Sequence, residues 1–311
     1  MTDCVYICSA GHSGSTLLDL LIGSHSRAVS LGEISHFPKN IALNTQCTCG
    51  EAVQNCEVWR DIIDKLSQKL SLDLETDPYR LNLGPFKAHD VVDNDHQTRW
   101  RMFWQGVVAA FWYADLRFNV KSFAAITAHA RRGVENNFAL YDTVGDVRGI
   151  DKVVDSSKSY FKAAQLYKTQ PTRVKIILLV RDGRAVMYSA IKKGVPRELR
   201  LKAWRNLYRR ALPILSRNVD SKDILRVHYE DLANNPEAEL KRICRFIGLM
   251  FEPQMLKFME QTHHVTNGND MRFGSDSAIK LDDSWKGAIA ADDLAYFEKR
   301  AGPLNKELGY D

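Results

Sequence analysis

No run of the ~20 apolar residues needed to cross a bilayer occurs in these 311 residues. The nearest approach to one at the start, Leu17 to Ile22, is broken by Asp19. The opening MTDCVYICS also lacks the basic start and sustained apolar run of a signal peptide, turning polar by residue 9. The expectation is a soluble, cytoplasmic protein with no membrane span. Internal repeats, proline-rich stretches and Gly/Ser linkers are missing too, which predicts a single domain over 1–311. Charge of one sign is scarce: 43 Lys and Arg against 38 Asp and Glu leave +5. That excess is too small for a nucleic-acid binder working through a broad basic face, and it suits a local anion pocket. A 45% hydrophobic, 26% charged and 10% aromatic composition excludes a disordered or collagen-like chain.

What is present reads as α/β. CVYICS (4–9) is a short buried strand, followed by a helix from Thr16 to about Ser24. Val29 to Leu31 is a second short strand. A Cys-containing irregular insertion covers 40–60, and a largely helical region runs from about 58 to 147. Lys152–Asp155 is a strand, Ser159–Lys168 a helix, and VKIILLV (174–180) the strongest strand in the chain. A turn Arg181-Asp182-Gly183 opens a helix through Lys193. A further helix (198–217), a strand (224–227) and a helix opened by Pro236 follow. Buried strands alternating with helices predict a mainly parallel sheet covered on both faces, a three-layer α/β/α architecture with a helical insertion at about 40–147.

Ala10-Gly11-His12-Ser13-Gly14-Ser15-Thr16 joins the first strand to its helix. Small residues there turn backbone N–H groups toward one point, where the helix dipole and hydroxyl donors add to the attraction for a tetrahedral anion. It is not a Walker A loop. Only two residues separate Gly11 and Gly14, and no lysine follows. A P-loop-like kinase is therefore the weaker reading, and a catalytically inactive nucleotide-binding protein is the other alternative.

At the carboxyl end of VKIILLV stands Arg181-Asp182-Gly183-Arg184-Ala185-Val186-Met187-Tyr188-Ser189. A guanidinium at a strand tip and a hydroxyl about two helical turns on suit a second phosphate. The two loops together, each strand–loop–helix, resemble the sulfotransferase family, closest in motif style to its bacterial and tyrosylprotein-like members. That family has a P-loop NTPase-like fold and uses 3′-phosphoadenosine-5′-phosphosulfate (PAPS) as sulfuryl donor. The resemblance implies that His12, Ser13, Gly14, Ser15, Thr16 and Leu17 hold the phosphosulfate, and that Arg181 and Ser189 hold the 3′-phosphate. Val227-His228-Tyr229-Glu230-Asp231-Leu232 is similar to a family segment whose Tyr lies near adenine, here Tyr229. Met271-Arg272-Phe273-Gly274 with Trp285-Lys286 is similar to its C-terminal element, which assigns Arg272, Gly274 and Trp285 to the cofactor. The resemblance covers about 4–36 and 150–290.

Sulfuryl transfer asks for an in-line acceptor, a base for its proton and stabilisation of the departing charge, and it needs no metal. Glu33, in Leu31-Gly32-Glu33-Ile34, matches the family's Gly-Glu segment as the base, a role calling for partial burial and a raised pKa. The family's cation before Ser-Gly is here His12, acting either as an imidazolium raised by the bound anion or as a neutral donor. Lys158, after the strand 152–155, falls where related enzymes place a lysine near the transferring sulfate. The acceptor is a small molecule, carbohydrate or similar compound bearing a hydroxyl or amine.

Among the six cysteines, Cys4, Cys8 and Cys244 read as small buried thiols. Cys47, Cys49 and Cys56 form C-x-C-x6-C, which falls short of a zinc site unless a His or Asp joins; the first expectation is a compact loop of reduced thiols, with a zinc site and a disulfide as the alternatives. Adjacent His263 and His264 do not suggest chelation, and His264 is a candidate to line the acceptor pocket. Trp100, Phe103, Trp104, Phe111 and Trp112 recur at helical spacing, as a packing stripe of an insertion that caps the crevice.

Overall fold

Alternation along the central strands decides which helices cover which face. The computed structural model describes residues 1–84, 107, 110–111, 113–118 and 124–311. In β1 (Asp3–Ser9), Val5 and Ile7 join one buried cluster, while Cys4, Tyr6 and Cys8 join another. In β4 (Val174–Val180), Ile177 and Leu179 face the first cluster and Ile176, Leu178 and Val180 the second. A period of two with both faces apolar is what a fully covered strand requires.

The sheet order is β2-β3-β1-β4-β5, with every pairing parallel. β2 is Ala28–Ser30, β3 Lys152–Asp155 and β5 Ile224–His228. On the first face lie α1 (Ser15–Gly23) and the later helix Pro236–Ile247, through Leu17, Leu18, Leu21, Leu240 and Ile243. The second face carries α3 (Glu57–Leu70), α4 (Ala124–Arg148), α5 (Tyr160–Thr169) and the helix Arg197–Asn218, with Trp59, Tyr141, Ala164, Trp204 and Tyr208 in its core. α2 is Phe37–Ala42 and α6 is Gly183–Ile191. The three layers and parallel sheet agree with the sequence expectation.

From β1 the chain moves out to the β2 edge, and from β4 it moves to β5 at the other edge. The carboxyl ends of β1 and β4 are therefore neighbours at the point where the winding reverses, where a crevice forms in open α/β sheets.

Besides α2, two further helices were not foreseen. Tyr229–Asn234 forms a short helix, α8, after β5, and Ala291–Glu307 forms a C-terminal helix. With Arg197–Asn218 as α7 and Pro236–Ile247 as α9, this last helix is α10. Its Asn305 Oδ1 accepts from Gly183 N (2.9 Å), and its Nδ2 donates to Asp182 Oδ1 (3.3 Å), bracing the second loop from behind. Among the described residues no helix is long and apolar enough to cross a membrane. Of the aromatic stripe, only Phe111 lies within the described residues; Trp100, Phe103, Trp104 and Trp112 lie outside them.

α1 is buried along nearly its whole circumference, Asp19 included. Asp19 accepts a hydrogen bond from Ser30 Oγ, pinning α1 to the end of β2. Burial nonetheless pushes its carboxyl up to about 8, so the folded chain holds it protonated where the unfolded chain has lost the proton. Stability should then fall by up to about 1.4 kcal/mol per pH unit from about pH 4 to about 8 and level off above. Asp19→Asn removes that slope. Urea midpoints of both proteins across this range check it, and parallel pH profiles would contradict it.

Candidate functional site

The first loop leaves β1 through two left-handed residues, His12 (φ 66°) and Gly14 (φ 84°). At Gly14 a side chain is impossible for a second reason: a Cβ would lie 2.5 Å from Tyr229 Cδ2. The first-turn N–H groups of α1 have no intrahelical acceptor, and Ser15 and Thr16 of that turn line the crevice. From β4, Arg181 Nη1 donates to the His12 carbonyl (3.0 Å). Its Nη2 donates to the Asp282 carbonyl (2.7 Å) and carboxylate (3.0 Å). The guanidinium stacks 4.3 Å over the Tyr229 ring. One buried arginine thus ties both loops, α8 and the 282 segment together.

The base candidate stands at a third strand end. Gly32, at φ 65°, has a space in which a Cβ would meet Asn267 O at 2.3 Å and Val265 Cγ1 at 2.5 Å. This close approach turns Glu33 inward, half-buried, where Oε1 takes the Lys158 ammonium and Oε2 lies 3.9 Å from His36 Nε2. Lys158 also holds a left-handed backbone (φ 68°). Its carbonyl accepts from Cys8 Sγ (3.4 Å), and the next N–H, Ser159, donates to Tyr6 OH (3.1 Å). Left-handed non-glycine residues cost about 1–3 kcal/mol each and persist where the surroundings impose them. Here both of the cleft's examples, His12 and Lys158, send side chains into it.

The result is a cleft of about 600 Å³ lined by His12, Gly14, Ser15, Thr16, Leu17, Glu33, Lys158, Arg181, Ser189 and Tyr229. Sequence reasoning missed Lys193, Arg200, Asn269, Lys280 and Asp282 in its wall. Lys193 was within reach of a pattern argument, one turn beyond Ser189 on the same helical course; Lys280 and Asp282 arrive on an irregular segment that carries no periodicity. Ser13 is fully buried behind the loop. Arg272 donates to the Gly268 carbonyl (2.5 Å) beside the cleft, Gly274 is exposed, and Trp285 stacks on Arg184, 4.8 Å from its guanidinium; none of these is in the lining. His264 does not line the cleft either. Its Nδ1 lies 3.2 Å from Cys56 Sγ and 3.9 Å from Cys47 Sγ, because Thr48 and Trp59 hold its backbone against the cysteine loop.

Basic groups outnumber acids in this wall. Burial, together with Arg200, Lys193, Lys158 and Arg181, pushes the His12 imidazole down to about 4. In the free protein His12 is therefore neutral near pH 7, a hydrogen-bond donor rather than a cation.

Two strand–loop–helix junctions at adjacent strand tips, with a carboxylate beside them, define an α/β protein with a basic cleft at the carboxyl ends of its strands. The comparisons make that class specific. The family described as "Sulfotransferase family" matches residues 4–253, and the chain belongs to it. Protein-tyrosine sulfotransferase A of Caenorhabditis elegans is 26% identical over 200 residues, 60% of this chain and 52% of that protein. A putative protein-tyrosine sulfotransferase of Caenorhabditis briggsae is 30% identical over 150 residues, 44% of this chain and 52% of its own. The chain thus spans about half the length of these curated relatives. Among solved structures, the sulfotransferase domain of the Synechococcus PCC 7002 olefin synthase aligns over 100% of this chain and 96% of its own, with TM-score 0.52 and 20% identity. The fold is shared.

Gly32→Ala tests the turn that aims Glu33. Gly149 has the same φ of 65° with open space around it, so Gly149→Ala carries the backbone strain alone. Gly32→Ala should destabilise by at least about 2 kcal/mol more in urea unfolding, the added loss coming from the clash with 265–267. Equal losses would mean that the contact does not constrain the turn.

Proposed function

We propose that this chain is a sulfotransferase that moves a sulfuryl group from PAPS to an acceptor hydroxyl or amine, leaving 3′-phosphoadenosine 5′-phosphate. The observation that carries the reading is the joining of the two loops: Arg181, from the second, donates to the backbone of His12 in the first across neighbouring strand tips. The cleft fits a doubly phosphorylated nucleotide in its chemistry. Arg181 and Arg200 each keep a buried Nε with no acceptor among the described residues, and His12, Lys158, Lys193 and Lys280 add further donors. Bound there, the donor supplies a sulfuryl group on an anhydride linkage whose departing phosphate is a stable anion.

The chain's own residues do the rest. Ser15, Thr16 and the first-turn N–H groups would hold the phosphosulfate end, Arg181 and Ser189 the 3′-phosphate, and Tyr229 the adenine side. A phosphate held by Arg181 would compete with the half-exposed Asp282 carboxylate for the guanidinium. Glu33 accepts the acceptor's proton, and Lys158, its ion-pair partner, is placed to meet charge building on the transferred group. His12 donates a hydrogen bond to the same anion. The acceptor is a hydroxyl or amine of a small molecule, carbohydrate or similar compound, and the names of the relatives add a protein tyrosine to the panel worth testing.

With labelled PAPS and an acceptor panel, the wild-type chain should turn over. Glu33→Gln should bind 3′-phosphoadenosine 5′-phosphate normally in calorimetry and lose turnover by a factor of about 10²–10⁴. Arg181→Ala should lose the binding itself. Unchanged binding in Arg181→Ala, or full activity in Glu33→Gln, would refute these roles.

A second outcome concerns protons. A bound anion favours the His12 imidazolium, so the complex binds more protons than the free protein between about pH 4 and the new, higher pKa. Affinity for the bisphosphate should therefore rise relative to His12→Asn as pH falls through this range. Calorimetry in buffers of different ionisation enthalpy should show proton uptake that the variant lacks. Identical uptake in both proteins would remove His12 from the anion's surroundings.

A further inference from the structure

Between α2 and α3 the chain folds back on itself. Gln46 and Ala52 pair as an antiparallel bridge, Cys47 N donates to Glu51 O (2.8 Å), and Gly50 N donates to Cys47 O (3.0 Å). Gly50, at φ 97°, supplies the left-handed step that closes this turn immediately after Cys49. Cys56 returns at the start of α3, its N–H donating to Ala52 O (2.8 Å). The fourth member comes from far along the chain. Thr48 N donates to Val265 O (3.1 Å), Thr48 Oγ1 donates to His263 O (2.6 Å), and Val265 N donates to Thr48 Oγ1 (2.9 Å). Trp59 Nε1 donates to His264 O (2.9 Å). These bonds fix His264 from both sides, with Nδ1 facing the cysteines.

We propose that Cys47, Cys49, Cys56 and His264 hold a structural zinc ion. Their four ligand atoms all lie within 4.8 Å of one another. With Zn–S of about 2.3 Å and Zn–N of about 2.0 Å, a tetrahedral site has S–S edges of about 3.8 Å and S–N edges of about 3.5 Å. The Cys49–Cys56 sulfurs are 3.6 Å apart, and His264 Nδ1 is 3.2 Å from Cys56 Sγ and 3.9 Å from Cys47 Sγ. Three thiolates and an imidazole complete a closed coordination set, which leaves no position for substrate and makes the site structural. Sulfur-rich donors select zinc over magnesium or calcium. The C-x-C spacing is tighter than the two-residue spacer of common zinc loops, and the Gly50 turn is what accommodates it. The sequence preference for reduced thiols over zinc rested on the lack of a fourth ligand. That ligand was out of sight because 208 positions separate Cys56 from His264.

A disulfide between Cys49 and Cys56 would use two of these groups and leave Cys47 and His264 facing a finished bond. Zinc uses all four. It would also fasten the cysteine hairpin to 263–265, two residues before Asn267, whose carbonyl accepts from Glu33 N (3.4 Å). The proposal does not depend on what the cleft binds.

The test is the metal content of the full chain expressed in zinc-supplemented medium and purified under reducing conditions without chelator. The expected result is one zinc per chain, retained on desalting, released when a mercurial titrates the thiols, and replaceable by cobalt(II) with the charge-transfer and d–d bands of a tetrahedral thiolate site. Cys49→Ser, which alters the least buried of the three cysteines, should lose its zinc to a chromophoric chelator, while Cys244→Ser keeps one equivalent. Stripping the wild type should lower its melting temperature, and zinc should restore it. A wild-type chain that takes up neither zinc nor cobalt would overturn the proposal. So would a mass deficit of two hydrogens mapping to Cys49–Cys56, or Cys49→Ser holding zinc against the chelator as well as wild type does.

Discussion

Positive charge gathered into a half-buried cleft is the constraint around which the rest of this molecule is organised. His12, Lys158, Arg181, Lys193, Arg200 and Lys280 share one wall, against Glu33 and Asp282. Removing such groups from water and setting them side by side is unfavourable unless partners are supplied. The fold supplies them unevenly. Arg181 has a carbonyl, a carboxylate and an aromatic face, and Lys158 has Glu33. His12 has none of these, and it meets the surrounding charge by giving up its proton. An anion entering the cleft relieves that repulsion without any rearrangement of the sheet, so the electrostatics favour a ligand of the charge the proposed donor carries.

Holding those groups in place falls to backbone more than to side-chain packing. Three of the strand tips that feed the cleft leave by a residue in the left-handed region or a glycine that tolerates no Cβ: His12 and Gly14 after β1, Gly32 after β2, Lys158 after β3. These positions are strained or sterically exclusive, and the supports that impose them are buried hydrogen bonds. Tyr6 OH, itself in the core between sheet and helices, accepts from Ser159 N. Asp155 accepts from Tyr141 OH (2.6 Å) and pairs with Lys162 (2.8 Å), joining the end of β3 to α4 and α5. Those bonds place the cleft on the rigid part of the structure, which suits a group that must meet its acceptor to within a fraction of an ångström.

How much of this was legible in the sequence depended on distance along the chain. The strands Lys152–Asp155 and Val174–Val180 coincide with their sequence assignments because unbroken apolar runs bounded by turns are a local signal. The two loops were legible for the same reason, glycines and hydroxyls standing directly between a buried strand and a helix. The resemblance added Glu33, Lys158 and Tyr229, which line the same cleft. What escaped was set by tertiary contact. Arg200 reaches the cleft from the start of α7, its Nη1 seated 3.0 Å from where a Cβ on Gly11 would be. Asn305 braces the second loop from a helix that the periodicity of 291–307, interrupted by Pro303, did not announce. Arg272, Gly274 and Trp285, carried over from the family's C-terminal element, lie around the cleft rather than in its lining.

The C-terminal strap shows why that last region resists reading from sequence. Between His263 and Asn269 it has no regular hydrogen-bond pattern of its own, and its conformation is borrowed from three others. Thr48 and Trp59 hold it at 263–265, Glu33 N donates to Asn267 O, and Asn269 N donates to Thr16 Oγ1 (3.1 Å) at the start of α1. The cysteine hairpin, the turn of the candidate base and the first anion loop, far apart in sequence, therefore share one short segment as a common wall. The bonds at 264, 267 and 269 fall within six residues, so one short segment holds the hairpin, the turn of Glu33 and Thr16 at once. Stability at the cysteine loop and geometry at the cleft are, on this arrangement, the same structural problem.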